Sequence, residues 1–350
     1  MANGDFTPTQ LLKLQLKAET MWADSQLNAS VVPHADAAIA VLNKQTARFD
    51  VFENRDKDLE VRVNFVNPCG IVARDCTESC DQTEAELSTG GKDYKPNICK
   101  ETGFGIDATK FRTNQYSFEE TYAVGMSGAI KALDEYWAQQ VLVKLKTFAG
   151  ANVSNPNYSA VNGYTTIANL GNDLTSLTKL MQDGLLNRIE NAYFIDNGLF
   201  YQALTNAAFD AGNAEGKGAA ARLKVFQDVF YTDMWNFRPA GVVNEDVFMI
   251  AAGAVAMKTV NQNPDSPLVI GSKVGETIYT IPSNLLPNVV YDVVYSQVCK
   301  IVNNKKHYFH TWTLKTRGLI ELNPEGCPVT VGGVTVSPTG VLSYANGVPL

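Results

Sequence analysis

The stretch SFEETYAVGMSGAIKALDEYWAQQVLVKLKTF, Ser117 to Phe148, decides how the chain is read. Ser117 can accept from the backbone of Glu120 while the Glu120 carboxylate reaches back, the S-x-x-E capping box that opens a helix. Tyr122, Met126, Ile130, Leu133, Trp137, Val141, Leu145 and Phe148 then recur at spacings of three or four, one apolar stripe along the whole segment. Glu119, Lys131, Asp134, Glu135, Gln139 and Lys146 fall on other faces. At 1.5 Å per residue such a helix is about 45 Å long, as long as a small domain is wide. It is a spine spanning more than one layer, and the remaining chain is read as what packs along it.

Upstream, MANGDFTPTQ lacks the basic start and apolar segment of a secretory signal, so a soluble chain made in a cytosol is expected. Two helices follow. Leu11, Leu12, Leu14, Leu16, Met21 and Trp22 give the first an imperfect stripe, and Ala37 to Leu42 form a small apolar patch after Pro33 in the second. Neither could stand alone, which makes them an arm laid over something else. In DLEVRVNFVNP, Leu59, Val61, Val63 and Phe65 alternate with polar neighbours, as in a strand with one wet face. Gly70 to Thr113, punctuated by Gly90-Gly91, Gly103 and Gly105, has no strong periodicity and reads as an extended loop.

Downstream, Gly150 to Tyr164 reads as a loop. Helices are expected over Asp173 to Glu190 and Asn197 to Asp210, divided near Phe194-Ile195-Asp196-Asn197. Two more are expected over Ala219 to Trp235, after the AGNAEGKG break at Ala211 to Gly218, and over Glu245 to Met257 behind an Asn244 cap. Strand patterns then dominate: Thr277 to Ile281, Val289 to Val298, His307 to Leu314, Leu319 to Leu322, and Val329 to Tyr344 with its Gly332-Gly333 hairpin signal. Helices in the middle and strands at the end make an α+β fold, without the βαβ alternation of a nucleotide-binding sheet.

With 350 residues, 45% of them apolar, the chain can bury a substantial core. Its formal charge is −7 and it contains no Lys/Arg block. Tight duplex binding usually needs a basic face, so the balance argues against reading nucleic acid, though not against enclosing it. The apolar run VFMIAAGAVAM, Val247 to Met257, is about half a membrane span, and no membrane partner is expected.

Cys69, Cys76, Cys80 and Cys99 place four thiols in one excursion. Four thiolates can hold a structural zinc and staple a loop with little core of its own. The spacing is irregular and includes no CxxC pair, which leaves disulfides and free thiols open beside zinc. Cys299 and Cys327 read as packing or turn residues. Asp75, Glu78, Asp81, Glu84 and Glu86 form an acidic run with no base. It lacks the spacing and central glycine of an EF-hand and fits a solvated face or an intersubunit charge match. His34 lies near the arm, and His307 and His310 flank Tyr308-Phe309 in a strand, pointing to opposite faces, poor geometry for a shared metal. GxSxG, HExxH, GxGxxG and GxxxxGK[ST] are absent, and GNAEGKG at Gly212 to Gly218 has the wrong spacing for a phosphate loop. No catalytic or cofactor-binding residue is assigned, and the chain is not expected to be an enzyme. Phe226, Phe230, Tyr231, Trp235 and Phe237, like Tyr308, Phe309 and Trp312, read mostly as core, with any left exposed serving as intersubunit anchors.

An arm, a strand leading into a long excursion, a spine helix, a helical middle and a strand-rich end together resemble the major capsid proteins of tailed bacteriophages, the HK97-like fold. VVNEDVFMIAAGAVAMKTV, Val242 to Val260, resembles the junction between that family's P- and A-domains. The closing HTWTLKTRGLIELNPEGCPVTVGGVTVSPTGVLSYANG resembles its C-terminal sheet. The cysteine-bearing excursion departs from the simplest members. The resemblance implies residues 1–55 as an N-terminal arm, 58–113 as an extended E-loop with the cysteine cluster, and 114–190 as a P-domain including the spine helix 117–148. It implies 191–305 as mainly an A-domain and 306–350 as C-terminal strands returning to the P-domain. It further implies a structural virion protein that assembles with itself through pentamers and hexamers into an icosahedral shell enclosing double-stranded DNA. Assembly would take place in the host cytoplasm with a portal, a scaffold and other virion proteins as partners. An encapsulin-like compartment shell or a phage tail component is the alternative. A receptor-binding surface protein, or a hydrolase acting through Cys76 or Cys80, is the second.

Overall fold

A computed structural model of the chain describes residues 6–23, 36–43, 61–67, 88–109, 117–149, 159–161, 164–168, 170, 174–187, 189, 192–200, 230–232, 246–260, 268–270, 276–283, 286, 288–322, 329–331, 334–336 and 339–347. In chain order the elements are α1 (Pro8–Ala23), α2 (Asp36–Asn43), β1 (Val61–Asn67), β2 (Ser88–Tyr94), β3 (Ile98–Asp107), α3 (Phe118–Phe148), β4 (Ser159–Val161), β5 (Tyr164–Ala168), α4 (Leu174–Leu186) and β6 (Ala192–Asp196). They continue with β7 (Phe230–Thr232), β8 (Val247–Ala251), β9 (Val255–Thr259), β10 (Leu268–Ile270), β11 (Glu276–Pro282), β12 (Val290–Val302), β13 (Lys305–Leu322), β14 (Val329–Val331), β15 (Val334–Val336) and β16 (Val341–Gly347).

The spine forms where the capping box places it. Glu120 donates its backbone N–H to Ser117 Oγ at 3.1 Å, and Ser117 donates its own to Glu120 Oε2 at 2.8 Å. The helix then runs 31 residues, and Tyr122, Met126, Ile130, Leu133, Trp137, Val141 and Leu145 are all buried. Ala123, Ala129, Ala138 and Leu142 are buried as well, a band wider than one stripe, because α3 is covered by a sheet and by both arm helices.

That sheet is open and antiparallel, in the order β10-β11-β12-β13-β3, with β9 also paired to β13. Its inner face follows the two-residue period of a pleated strand: Tyr279 and Ile281, then Tyr291, Val293 and Tyr295, then Trp312 and Leu314, all in one core with α3. A second open sheet, β4-β5-β16-β8-β6-β7, is mixed, with β16 parallel to β5 and β6 parallel to β7. It encloses a smaller core around Leu180, Phe194, Phe200, Met249, Leu342 and Tyr344. The fold is thus α+β. The chain passes between the two sheets three times, from β3 to β4, from β8 to β9 and from β13 to β16, and the shortest passage is the β8–β9 turn, in which Gly253 has φ +78°, a value that glycine adopts freely. β14 pairs antiparallel with β15, with Val331 opposite Val334.

Several expectations are corrected here. Residues 88–107 lie mainly in strands, not in a loop. β3 is a sheet edge with one largely wet face, so its polar and glycine-rich sequence carries little apolar alternation. Residues 247–259 form two strands, not a helix. Val247, Phe248, Met249 and Ile250 are buried because β8 is a central strand between β16 and β6, and such a run does not alternate. Residues 192–196 form β6 rather than a break between helices, and 230–232 form β7 rather than part of a helix. The expected helices over Asn197 to Asp210 and Ala219 to Trp235 otherwise lie outside the described residues past Phe200, as does the AGNAEGKG segment.

Two contacts fix the spine on its sheet. Trp137 is fully buried and donates from Nε1 to Thr316 Oγ1 at 2.7 Å. Beside it a Cβ on Gly318 would stand 2.5 Å from the Lys258 carbonyl and 2.6 Å from the Trp137 ring, so only glycine lets that ring lie against the β13 backbone. Asp134, which the sequence pattern places on a polar face, is fully buried and accepts from Ser283 Oγ at 2.8 Å and from the Tyr291 hydroxyl. Burial pushes its carboxyl up to about 6, against the lowering effect of the Tyr291 and Ser283 hydrogen bonds.

Trp137→Ala is expected to cost about 3–5 kcal/mol in denaturant unfolding, whereas the loss at an exposed α3 position such as Val124 is expected to stay within about 0.5 kcal/mol. Asp134 titrates in the opposite sense to a paired surface acid. Its folded pKa lies above the unfolded value near 3.8, so its contribution is most favourable below that value and declines as pH rises through about 6. The decline amounts to about 3 kcal/mol. Asp134→Asn retains an acceptor for both hydroxyls, and its thermal melts are expected to lose that slope between about pH 4 and 7.

Candidate functional site

Two surfaces stand out among the described residues. The first is the seat of the N-terminal arm. The Phe6 ring sits 4.8 Å from His310, 5.4 Å from Phe118, 5.8 Å from Tyr295 and 6.5 Å from Trp312, centroid to centroid. Its backbone N–H donates to the Tyr295 hydroxyl at 3.2 Å, and that hydroxyl lies 2.8 Å from His310 Nδ1. Thr7 and Gln10 then cap α1 reciprocally: Thr7 N donates to Gln10 Oε1 at 2.9 Å and Gln10 N to Thr7 Oγ1 at 3.4 Å. The helix lays Leu11, Leu14, Gln15 and Ala18 against the body, where the buried Tyr122 hydroxyl donates to Gln15 Oε1 at 2.8 Å. Lys17 pairs with Glu119 at the rim. Ala38, Ile39, Val41 and Leu42 of α2 are fully buried. The opposite face of α1 leaves Leu12 and Leu16 more than half exposed, at 54% and 63%.

The second surface is a projecting hairpin. β12 and β13 stay paired from Asp292–Lys315 out to Val302–Lys305, but β11 follows β12 only to Ser296 and β3 follows β13 only to Phe309. Residues 297–308 therefore extend beyond their neighbours, and residues 298–306 are all exposed, Ile301 the most of the apolar ones at 73%. The turn is Asn303-Asn304, both left-handed at φ 49° and 57°, the two-residue geometry that matches strand twist. Lysines 300, 305 and 306 decorate this tip, and Lys300 lies 5.5 Å over the Phe309 ring.

At the foot of the hairpin, Asp107 Oδ2 lies 2.8 Å from His307 Nδ1, and Thr109 Oγ1 donates to Asp107 Oδ1 at 2.5 Å while lying 2.9 Å from the same Nδ1. Burial raises the Asp107 carboxyl and the hydrogen bonds from Thr109 and His307 outweigh it, so the net shift is downward. A hydrolytic triad needs its hydroxyl and its carboxylate on opposite ring nitrogens. Here both meet Nδ1, so the cluster lacks that arrangement, and it clasps the end of β3 to β13.

His307 and His310 do face opposite sides, His310 buried beside Trp312 and His307 half-buried toward Asp107. Trp312 is core, and Tyr308 and Phe309 are half-buried. Cys299, expected as a packing residue, is exposed because β12 carries it past the body onto the hairpin. Cys99 is exposed on β3 opposite Arg317. Cys69, Cys76, Cys80, Cys327, His34, the acidic run from Asp75 to Glu86 and the aromatic residues 226, 235 and 237 lie outside the described residues. Among the described residues no three His, Cys, Asp or Glu side chains converge as metal ligands, and no helix is long and apolar enough to cross a membrane. The capping pair Thr7/Gln10 and the Asn303-Asn304 turn are legible as short motifs. The Asp107–His307 clasp joins residues far apart in sequence and has no such signal.

No protein-family model and no curated protein matches the chain. Among solved structures it is similar to the capsid of Cyanophage P-SCSP1u, at 11% identity over 84% of this chain and 85% of that one, with a TM-score of 0.43. It is also similar to a Mycobacterium phage Adephagia chain, at 13% identity over 93% and 94% with a TM-score of 0.47. A third likeness is to the Cyanophage A-1(L) capsid asymmetric unit, at 8% identity over 91% and 94% with a TM-score of 0.49. These are likenesses in the course of the chain, and no residue role passes through them.

Phe6→Ala is expected to open residues N-terminal to α1 to limited proteolysis at least about tenfold faster, with global stability reduced by about 1–3 kcal/mol. Unchanged cleavage would place the arm's anchor elsewhere on α1.

Proposed function

We propose that the chain is a structural shell subunit, a phage major capsid protein that works by binding copies of itself and carries out no chemistry. The observation that carries this reading is where the bare apolar surface lies. Of the seven large apolar side chains left exposed among the described residues, five lie on two extremities, Leu12 and Leu16 on the arm and Val298, Ile301 and Val302 on the hairpin; the other two are Val124 on α3 and Leu185 on α4. Extremities of this kind suit contacts with other molecules better than they suit a substrate.

Under this reading identical subunits meet through heterologous contacts, close into pentamers and hexamers, and build an icosahedral shell around double-stranded DNA. The chain's negative charge is compatible with enclosing DNA without gripping it. Residues 1–55 act as the arm, 58–113 as the E-loop, 114–190 as the P-domain with the spine, 191–305 as mainly the A-domain and 306–350 as the returning strands. Scaffold, portal and other virion proteins would be its partners in the host cytoplasm. Each contact can be weak, because an arm and a loop engaged together raise the effective concentration of the next. Zinc on Cys69, Cys76, Cys80 and Cys99 stays one of three thiol states. Metal content of protein prepared without chelator, about one zinc per chain or none, separates it from disulfides and free thiols.

The test is electron microscopy of the chain expressed alone and with the genes beside it, after size separation at several salt concentrations. Closed particles or five- and six-fold rings are expected. A monomer under every one of those conditions would overturn the reading, and particles filled with protein cargo instead of DNA would favour a compartment shell.

A further inference from the structure

The second sheet's core holds a carboxyl group in surroundings that do not suit an ion. Asp183, on the last turn of α4, is 1% exposed. Its Oδ2 accepts from the Tyr344 hydroxyl of β16 at 2.7 Å, whereas its Oδ1 is buried with no donor among the described residues. One turn on, Asn187 is buried too, and its backbone N–H and its Nδ2 both donate to the Asp183 carbonyl, at 3.0 and 2.8 Å. Those bonds fold the amide back over the helix end. Its Oδ1 is the second buried oxygen here without a donor.

No described cation answers this pair. Lys179, one turn earlier on α4, forms no ion pair with Asp183, and the strands beneath contribute Ile167, Phe194, Met249 and Leu342 to the shared core. The other acids around the same sheet are held elsewhere. Asp196 on β6 accepts from the Phe200 backbone at 2.8 Å, and Asp246, ahead of β8, accepts from Asn197 Nδ2 at 2.9 Å and from the Asn346 backbone at 2.8 Å. Burial raises the Asp183 carboxyl above its ordinary value against the lowering effect of the Tyr344 hydrogen bond, and no charged neighbour contributes.

A single proton resolves both deficits. Placed on Asp183 Oδ1 it removes the buried charge and turns that atom from acceptor into donor, and the spacing of four residues makes the Asn187 amide its neighbour on the helix. We propose that Asp183 is a proton-operated latch: as the neutral acid it donates to Asn187 and accepts from Tyr344, tying the end of α4 to β16, and release of that proton to solvent loosens the helix end from the second sheet. The folded carboxyl lies above the unfolded value near 3.8, so the latch's contribution is complete below that value and is lost as pH rises through the folded one. It is a property of the single subunit and stands whether or not the chain builds a shell.

The test follows the proton and the helix separately. In carboxyl NMR of the aspartate-labelled subunit, with Asp183→Asn to assign the resonance, Asp183 is expected to titrate above 3.8, and Asn187→Leu is expected to lower its midpoint because the neutral form loses its acceptor. In hydrogen exchange, corrected for the intrinsic effect of pH, amides of residues 180–187 are expected to open at least about threefold more readily above that midpoint than below it. Asp183→Asn keeps a donor for Asn187 and an acceptor for Tyr344, and its α4 is expected to stay protected at both pH values. Should that variant fail to fold, sequential assignment of the wild type and the Asn187→Leu midpoint carry the same test. An Asp183 that titrates at or below 3.8 would overturn the latch and assign the missing donor to a buried water or a cation. A midpoint unmoved by Asn187→Leu, or the same pH-dependent opening of α4 in Asp183→Asn, would overturn it as well.

Discussion

The burial of α3 against the β11-β12-β13 face is the constraint on which the rest of the structure depends. Trp137 reaches through that interface to Thr316, Gly318 gives it room, and Asp134 is drawn into the core by Tyr291 and Ser283. These contacts fix the rotation and height of the helix on the sheet. Once they are set, Tyr122 stands where the arm's Gln15 can meet it, and Phe118 and Trp312 form walls of the Phe6 cage. β13, at 18 residues, is the longest strand among the described residues. It pairs with β12 and β3 toward one end and with β9 at the other, where β9 brings the chain in from the second sheet.

This arrangement separates rigid from bare. The interior is occupied by aromatic and aliphatic side chains packed on the spine, and its polar groups are committed to holding elements together. Asp134 clamps the helix, Asp107 and His307 clasp β3 to β13, and Asp183 accepts from the Tyr344 hydroxyl at 2.7 Å within the second sheet's core. Among the described residues, five of the seven exposed large apolar side chains lie on the arm and the hairpin, with Val124 on α3 and Leu185 on α4 the other two.

The spine was legible because its signals are local. Ser117 and Glu120 lie one turn apart, and the stripe from Tyr122 to Leu145 repeats within the helix that it defines. The β11, β12 and β13 cores were legible for the same reason, since alternation is written along each strand. The reading failed where a residue's environment is set by distant chain. Val247 to Ile250 form a central strand only because β16 and β6 flank them, and the bare apolar run looks the same as a buried helix segment. Gly103 and Gly105 lie in a strand because β13 supplies its hydrogen bonds. The sequence pattern places Asp134 on a polar face, and only the hydroxyls of Ser283 and Tyr291, far along the chain, make its burial tolerable. Of the candidate surfaces, the arm helices could be read in advance, whereas the hairpin could not. Its two strands were visible, but how far they outrun β11 and β3 depends on where those partners stop.

Hydrogen–deuterium exchange on the isolated subunit and on its assembled form tests the separation of rigid body from docking extremity most directly. Amides of α3 and of β13 from Trp312 to Ile320 are expected to exchange slowly and equally in both states. Those of residues 297–308 are expected to exchange fast in the subunit and to slow at least about tenfold on assembly. Equal exchange of the hairpin in the two states, or protection that appears in α3 only on assembly, would contradict the view that a preformed body assembles through its exposed ends.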